Sequence, residues 1–590
     1  MNPQARPLPE ENHPVHADLI VLAAHVEHLH PDPAAAAAAP ANAVAVRGGR
    51  ILAVGEAAGM AALRGPDTAV HAFPGATILP GLTDVHAHPV WGAISIGSGV
   101  DLSTAATLDE ICDRLAAAAV AAEDRPDAWI TGYDLDVNAF PGEPSGAVLG
   151  ERFPGRAISL MTRDAHALVV SPRVVELVGL TGRETFTDAS SVETGPDGRP
   201  TGYVLELQAM DLVFAHYPEV PVPTAAGYVR RELDTLARSG LTGVHALDFG
   251  EPSEEVYRHL EAHGDLPLRI RCSPLVPADS GPDAWQEVAD LQGLRGRRWH
   301  VEGAKFMLDG TADNGTAWFE HPDTHGENCE PLWRDVDAYR AALRFFAVRG
   351  IPTATHAIGD RAVRFALDAI ADLGPDDKAA APHRIEHIES IPDGLLGRFA
   401  ELGVVASLQP AHATRHTRGD GTDNWSRRIG PHRAAHGWRT RDLLDHGAVV
   451  ALGSDWPIGP GDPRIGLADC QLRRPVGEPG TLQVQPDQAI SAREAYAGMT
   501  LAAAAAGGAA HELGRIAPGY LADLTVFAAN PVDLAPDAQP GNAVLATVVG
   551  GDVLIHAPGE PDPAALADAG PGEAVPAAAP AAVTTSKGRP

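Results

Sequence analysis

Gly81-Leu82-Thr83-Asp84-Val85-His86-Ala87-His88-Pro89 is the stretch from which the fold is read. It follows the apolar run Ala76-Thr77-Ile78-Leu79-Pro80, and together they predict a strand over 78–86 that enters a core. Side chains alternate faces along a strand, so His86 and His88 point the same way. Two imidazoles on one face at the end of a buried strand make half of a metal site. The chain holds 26 histidines, so a chance pair is an equally ordinary explanation, and the other half must be sought elsewhere.

Working outward, 590 residues are too many for one small domain and suit either a large barrel with additions or several ordinary domains. A formal charge of −32 argues against nucleic acid and against anionic membrane surfaces. No apolar run reaches membrane-spanning length, and the first residues are polar and Pro-rich rather than signal-like. Cys112, Cys272, Cys329 and Cys470 show neither metal-like nor disulfide-like spacing and read as reduced thiols of a cytoplasmic protein.

Residues 1–15 and the Ala/Pro/Gly-rich tail 558–590 are expected to be disordered, and 31–41 to form a loop. Ala17–Leu22 reads as a strand, and 43–55 as a hairpin around Gly48-Gly49. The same vocabulary returns at 519–527 and 544–555. Segments 16–75 and 500–557 therefore predict one composite β-sandwich enclosing a central domain, 76–499. There, strand-like runs at 78–86, 242–248, 267–275, 300–307, 351–356, 384–388, 403–408 and 448–454 alternate with helical stretches such as 338–349, 360–373 and 395–402. That is the α/β pattern of a (β/α)8 TIM barrel. Residues 95–235 are too many for one crossover and read as an inserted α/β subdomain after the first barrel strand.

Enzyme sites in such barrels lie at the carboxyl ends of the strands. Those ends carry His86 and His88, then Lys305, His356, His387 and Asp455. Singly, each has an ordinary explanation: a solvated histidine, a salt-bridged lysine, an aspartate that caps the next helix. Jointly they form a ring of ligand types at equivalent positions of one barrel. Lys305 stands out because only Lys305, Lys378 and Lys587 interrupt an otherwise all-arginine basic set of 45. A buried amine of lowered pKa can react with carbon dioxide, which arginine cannot do, and the carbamate is an oxygen donor for metal. A Schiff-base lysine is the rival reading, and the histidines around it favour metal.

These marks resemble the amidohydrolase superfamily, specifically family 3, the YtcJ-like branch that includes N-substituted formamide deformylases. The resemblance runs from about Ala17 to Ile555. It rests on Pro80 to His88, Lys305-Phe306-Met307-Leu308-Asp309-Gly310-Thr311, Thr355-His356-Ala357-Ile358-Gly359-Asp360-Arg361-Ala362 and Arg384-Ile385-Glu386-His387. Ser407 to His412, Gly453-Ser454-Asp455-Trp456-Pro457 and Pro518 to Leu524 complete it. It implies His86 and His88 on one divalent metal, His356 and His387 on a second, carbamylated Lys305 bridging, and Asp455 at the metal and its water. One or two ions, zinc by ligand type, are implied, with iron or manganese as alternatives. Thr162-Arg163-Asp164-Ala165-His166 and Gly202-Tyr203-Val204-Leu205-Glu206 resemble two pocket motifs of the family. They imply substrate-binding roles for Asp164 and Glu206, joined by Asp309, and a catalytic role for His166. An alternative for His166 is a structural hydrogen bond to Asp164. Gln409 and His412 are expected on the loop after the seventh strand, facing the pocket. Val169 and Ser171 stand where relatives carry Trp and Asn, which predicts a lost aromatic wall and a lost amide. The His/Arg-rich segment 412–436 reads as a solvated loop, or as a cover for the mouth.

The function implied is hydrolysis of a non-peptide carbon–nitrogen bond in a small amide or formamide. A metal-bound hydroxide attacks, and Asp455 acts as general base and then acid. The same site would serve a cyclic amide, an ester or a carbamate. A non-catalytic metal- or ligand-binding protein is the reading from another class, and the presence of both Lys305 and Asp455 argues against it. Relatives are often homo-oligomers, and the resemblance carries that expectation over.

Overall fold

A computed structural model describes residues 16–29, 40–122, 125 and 128–556. The expectations for 1–15 and 558–590, and most of that for 31–41, lie outside the described residues.

Two parallel sheets dominate. One holds Leu82–Ala87 (β1), Leu241–Phe249 (β2), Arg269–Pro274 (β3) and the short strand Trp299–Val301 at its edge. The other holds Ala304–Met307 (β4), Thr353–Ala357 (β5), His383–His387 (β6), Val405–Leu408 (β7) and Val450–Leu452 (β8), in that order. Isolated parallel bridges join the sheets at both seams, Leu275 with Lys305 and Ala87 with Trp456. Backbone hydrogen bonds from Val276 N to Lys305 O at 2.8 Å and from Asp455 N to His86 O at 2.7 Å reinforce them. Both seams therefore pass through residues singled out in the sequence.

The strands are near-continuous apolar runs because helices cover them. Val336–Ala347, Asp360–Ala371 and Asp393–Leu402 bury Leu343, Phe346, Val363, Leu367, Leu396 and Phe399 in the same cluster as Leu82, Val244, Ile270 and Ile385. The side chain of Asp335 starts the first of these helices by accepting from the Asp337 and Ala338 amides.

The expected strand 78–86 is in fact two. Thr77–Pro80 pairs with Leu524–Phe527 in a sheet with Val544–Val549 and Asp552–Ile555, and only then does β1 begin. Gly81 is the joint: a Cβ there would lie 2.1 Å from Thr242 Oγ1, so no other residue lets the chain cross this close to β2. The expected strand 300–307 is likewise broken, into Trp299–Val301 and Ala304–Met307 around Gly303 at φ +131°. A second terminal sheet is built from Ala17–Leu22, Ala43–Arg47, Arg50–Gly55 and Arg64–Ala72. The two sheets share a core of Leu19, Val21, Val44, Ile78, Leu524 and Val548.

Between β1 and β2 lies a six-stranded sheet running from Val100–Asp101 to Ser191–Thr194. Its strands include Trp129–Leu135 and Ala157–Thr162, both legible in the sequence. The helix that closes this stretch, Val222–Arg238, buries Ala225, Val229 and Leu233 in the core of the parallel sheets. Among the described residues no helix is long and apolar enough to cross a membrane.

Candidate active site

The carboxyl ends of the parallel strands open on a cavity of about 440 Å³. His86, His88, Asp164, His166, Lys305, His356, His387, His412 and Asp455 all line it. Ring centroids run His88–His86 5.4 Å, His86–His387 4.8 Å, His387–His356 4.5 Å and His356–His166 5.2 Å. Residues read from strand ends hundreds of positions apart are thus brought into one cluster.

Asp455 is its centre. Its Oδ1 lies 3.0 Å from His88 Nε2 and 3.3 Å from His86 Nε2, and its Oδ2 lies 3.7 Å from His412 Nε2 and 4.0 Å from His387 Nδ1. Two groups of donor atoms, His86 with His88 and Asp455, and His387 with His412 and Asp455, each lie mutually within 4.8 Å. Burial alone would push this carboxyl up, but His86, His88 and His387 hold it well below the usual carboxylate range. Asp455 has φ +59° and His387 +73°, a left-handed backbone that costs a non-glycine residue about 1 kcal/mol or more. The surrounding packing maintains these conformations and aims both side chains inward.

The imidazoles are in the form that binds cations. Burial is the first cause that holds His86 down to about 4 and His356 and His387 well below 6.5. His86 Nδ1 donates to Glu386 Oε2 at 2.9 Å, which leaves its Nε2 lone pair facing Asp455. Glu386 stays ionised near pKa 2, because Arg384 and His86 outweigh its burial. His387 Nδ1 and His412 Nε2 are buried with no hydrogen-bond partner. Two such nitrogens facing an ionised carboxylate at separations too long for hydrogen bonds fit a divalent cation between them. His412, expected as a substrate contact, supplies the third corner of the cluster in which His356 was expected. His356 instead donates from Nε2 to Gly310 O at 3.1 Å.

Lys305 is 2% exposed, and burial brings its amine down to about 8. The fields of Glu386 and Asp455 act on it in the opposite direction. His166 does not use Asp164 for its ring: its Nδ1 lies 2.9 Å from Glu206 Oε2. Asp164 is held by Thr162 Oγ1 and Thr311 Oγ1 at 2.7 Å each and by Asn314 Nδ2 at 2.6 Å.

Three residues expected at the substrate stand behind the wall. Glu206 is fully buried under His166. Asp309 accepts from the Trp318, Ile358 and Gly359 amides at 2.9, 3.0 and 2.9 Å, pinning the loops after β4 and β5 together. Gln409 places Nε2 3.3 Å from His86 Nδ1. Val169 and Ser171 face away from the cavity. Val169 is in the core of the inserted sheet, and Ser171 Oγ donates to Arg156 O at 2.7 Å. The aromatic wall expected to be lost is supplied by Trp91, Phe214, Phe249 and Trp425, with Met161 and Met210.

The segment 412–436 is not a solvated loop. It forms a π-helical turn, His412–His416, and a helix, Asn424–Ala434, kinked at Gly430, and it places His412, His416, Thr417 and Trp425 in the cavity lining. Three of its arginines are engaged in the protein, Arg415 with Asp469 at 2.9 Å, Arg428 with Asp323 at 3.0 Å and Arg433 with His321 O at 2.6 Å. Sequence reasoning passed over Asp248, whose Oδ2 accepts from the Val90 and Trp91 amides at 2.9 Å while Oδ1 is unpartnered. It also passed over Asp313 and Glu389 in the lining; an acidic residue at a strand end or loop was the only available signal.

Neutral imidazoles and an ionised carboxylate gathered at the carboxyl ends of parallel strands are the donor set of a metal-dependent hydrolase. The chain belongs to the amidohydrolase family, whose model matches residues 74–555, and is accordingly a hydrolase of carbon–nitrogen bonds other than peptide bonds. It is 28% identical over 542 residues to the Arabidopsis thaliana protein LONG AFTER FAR-RED 3, covering 87% of this chain and 88% of that one. It is 28% identical over 527 residues to the N-substituted formamide deformylase of Arthrobacter pascens, covering 87% and 94%. An uncharacterized metal-dependent hydrolase from Pyrococcus horikoshii shares the fold with a TM-score of 0.67 at 20% identity, covering 88% of this chain and 99% of that one.

Proposed function

We propose that the protein hydrolyses the carbon–nitrogen bond of a small N-substituted amide or formamide, with Asp455 as the proton carrier. The observation that carries this is the ionised, buried Asp455 between two pairs of imidazoles. The formamide deformylase among the relatives favours the same bond.

His86, His88 and Asp455 would hold one divalent cation, and His387, His412 and Asp455 a second, with zinc the fitting element for this donor set. Carbamylated Lys305 would add an anionic oxygen donor. When bound, the cation supplies Lewis acidity that makes water a nucleophile near neutral pH. Asp455 takes the proton that water gives up and delivers it to the departing nitrogen. His166, held protonated by Glu206, faces the substrate carbonyl oxygen and stabilises the negative charge that develops there. Trp91, Phe214 and Phe249 hold the apolar substituent on nitrogen and exclude water from the reacting centre.

The framework proposed is a (β/α)8 TIM barrel made of the two parallel sheets. The sheets of 16–75 and 500–557 form a composite sandwich, and the sheet after β1 is an inserted subdomain. The test is elemental analysis of the purified protein, followed by a screen of N-substituted formamides and amides with the metal found, read as released amine. A metal-replete protein that releases no amine from any of them would end this reading.

A further inference from the structure

At the opposite ends of the strands lies a second cavity, of about 900 Å³, which shares no lining residue with the first. The starts of β1, β2, β3 and β5 border it through Thr83, Thr242, Arg269 and Pro352. In a chain of net charge −32 its lining is strongly basic. Arg269, Arg271, Arg295, Arg297, Arg298 and Arg349 face it, against the carboxylates Glu302, Glu512 and Asp523.

Several of these arginines are already used. Arg269 forms a fork with Asp523 at 2.9 and 3.1 Å, Arg297 meets Asp265 at 2.5 Å, and Arg298 meets Asp552. Arg295 and Arg349 are exposed and have no carboxylate partner among the described residues, although Arg349 Nη1 donates to Phe345 O at 2.8 Å. Arg271 is only 7% exposed, reaches Glu302 Oε2 with Nε at 3.3 Å, and leaves its buried Nη2 without an acceptor. Trp299, 1% exposed on the same wall, leaves Nε1 without one as well. The unpartnered buried side-chain atoms of this lining are both donors. A buried donor left unpaired is costly, and a guanidinium fork matches a planar or tetrahedral oxyanion.

We propose that this cavity is a binding site for a small molecule carrying a phosphate or carboxylate group, with Arg271 and Trp299 as its buried donors and Arg295 and Arg349 at its mouth. The site also touches the chemistry. His245, in the lining, accepts with Nδ1 from Arg384 Nη1 at 2.8 Å, Arg384 Nε reaches Glu386 Oε1 at 2.7 Å, and Glu386 holds His86. An occupant of this cavity therefore lies at the far end of a polar chain that ends on a residue of the first cavity.

The experiment is calorimetric titration of the metal-loaded full chain with inorganic phosphate and, separately, with succinate, at constant ionic strength set by chloride. The expected result is saturable binding of at least one of them, weakened about tenfold or more in Arg271→Gln and in the Arg295→Glu, Arg349→Glu double variant. Asp455→Asn should bind as the parent does. If Arg271→Gln does not fold, the double variant of two exposed side chains decides alone. No saturable response to either anion would overturn the proposal. So would binding that survives both arginine substitutions, which would locate the anion outside this cavity.

Discussion

His86 Nδ1 lies 2.9 Å from Glu386 Oε2, and both side chains are withdrawn from solvent. The carboxylate is itself held by Arg384, 2.7 Å away and equally buried. A buried carboxylate between a guanidinium and an imidazole does two things. It neutralises Arg384, and it fixes the His86 tautomer so that Nε2 faces Asp455. Glu386→Gln should therefore lower metal affinity by about 10–100-fold, measured by competition with a chelator. It should also cost about 3–5 kcal/mol of stability, because Arg384 loses its counter-charge. Unaltered metal affinity would remove the orienting role.

Asp455→Asn keeps the size and the strained backbone of the native residue but no longer accepts a proton. Four imidazoles still surround the position, so metal content should stay near the parent value while kcat falls by about 10²–10⁴-fold. Metal analysis and turnover on one preparation separate the two effects. Parent-like turnover would reassign the proton to another group.

The residues that build this site were legible in the sequence for a simple reason. His86, His356, His387 and Asp455 each end an apolar run, and parallel strands buried on both faces write such runs without interruption. Their grouping was less legible. His412 meets Asp455 because the chain after β7 tightens into a turn at His412–His416, which no periodicity announces. Asp309 sits in a motif beside Lys305 and so read as a substrate contact, yet three backbone amides consume it. The split of 78–86 into two strands depends on the close approach of Gly81 to Thr242, a contact between residues far apart in the chain. The second cavity was invisible because its arginines are scattered through 269–349 and meet only once the strands are aligned.

The proposed carbamylation of Lys305 has a direct test. Its amine, brought down to about 8, is partly neutral near physiological pH and so can add carbon dioxide. The native-state mass of the intact protein should exceed the sequence mass by one carbon dioxide, and acid denaturation should remove the increment. Lys305→Arg keeps a cation but cannot form the carbamate. It should lose metal and reduce turnover by about 10²-fold or more.

His166 yields a pH dependence of stability. Burial would push its imidazole down, but Glu206, Asp164 and Asp455 outweigh burial and raise it from 6.5 to about 9. A raised folded-state pKa contributes stability that is complete below pH 6.5 and is lost as the pH rises through 9. Metal-free protein should accordingly lose roughly 3 kcal/mol across that window, read from denaturant midpoints at several pH values. In Glu206→Gln the imidazole loses its counter-charge, so the slope should flatten. An identical slope in that variant would assign the pH dependence to other groups.

Substrate charge is the last property the cavity dictates. Asp164, Asp248, Asp313 and Glu389 line it, while Lys305 is its one lysine and no arginine joins the lining. Burial raises Asp313 to about 7 and Glu389 well above the usual carboxylate range, with Asp313 adding to the shift of Glu389, so Glu389 is held uncharged near neutral pH. Trp425 Nε1 donates to Glu389 at 2.6 Å, so the wall is ordered as well as acidic. A carboxylate on the substrate's nitrogen substituent would lose its hydration beside these acids with no arginine in the lining to pair with, whereas an apolar ring would rest on Trp91, Phe214 and Phe249. For two amides that differ only in such a carboxylate, kcat/KM should favour the uncharged one by about 10²-fold. Glu389→Gln replaces an acid already held uncharged and should leave the gap in place. A gap that closes in that variant would show Glu389 to be ionised and to be the source of the discrimination.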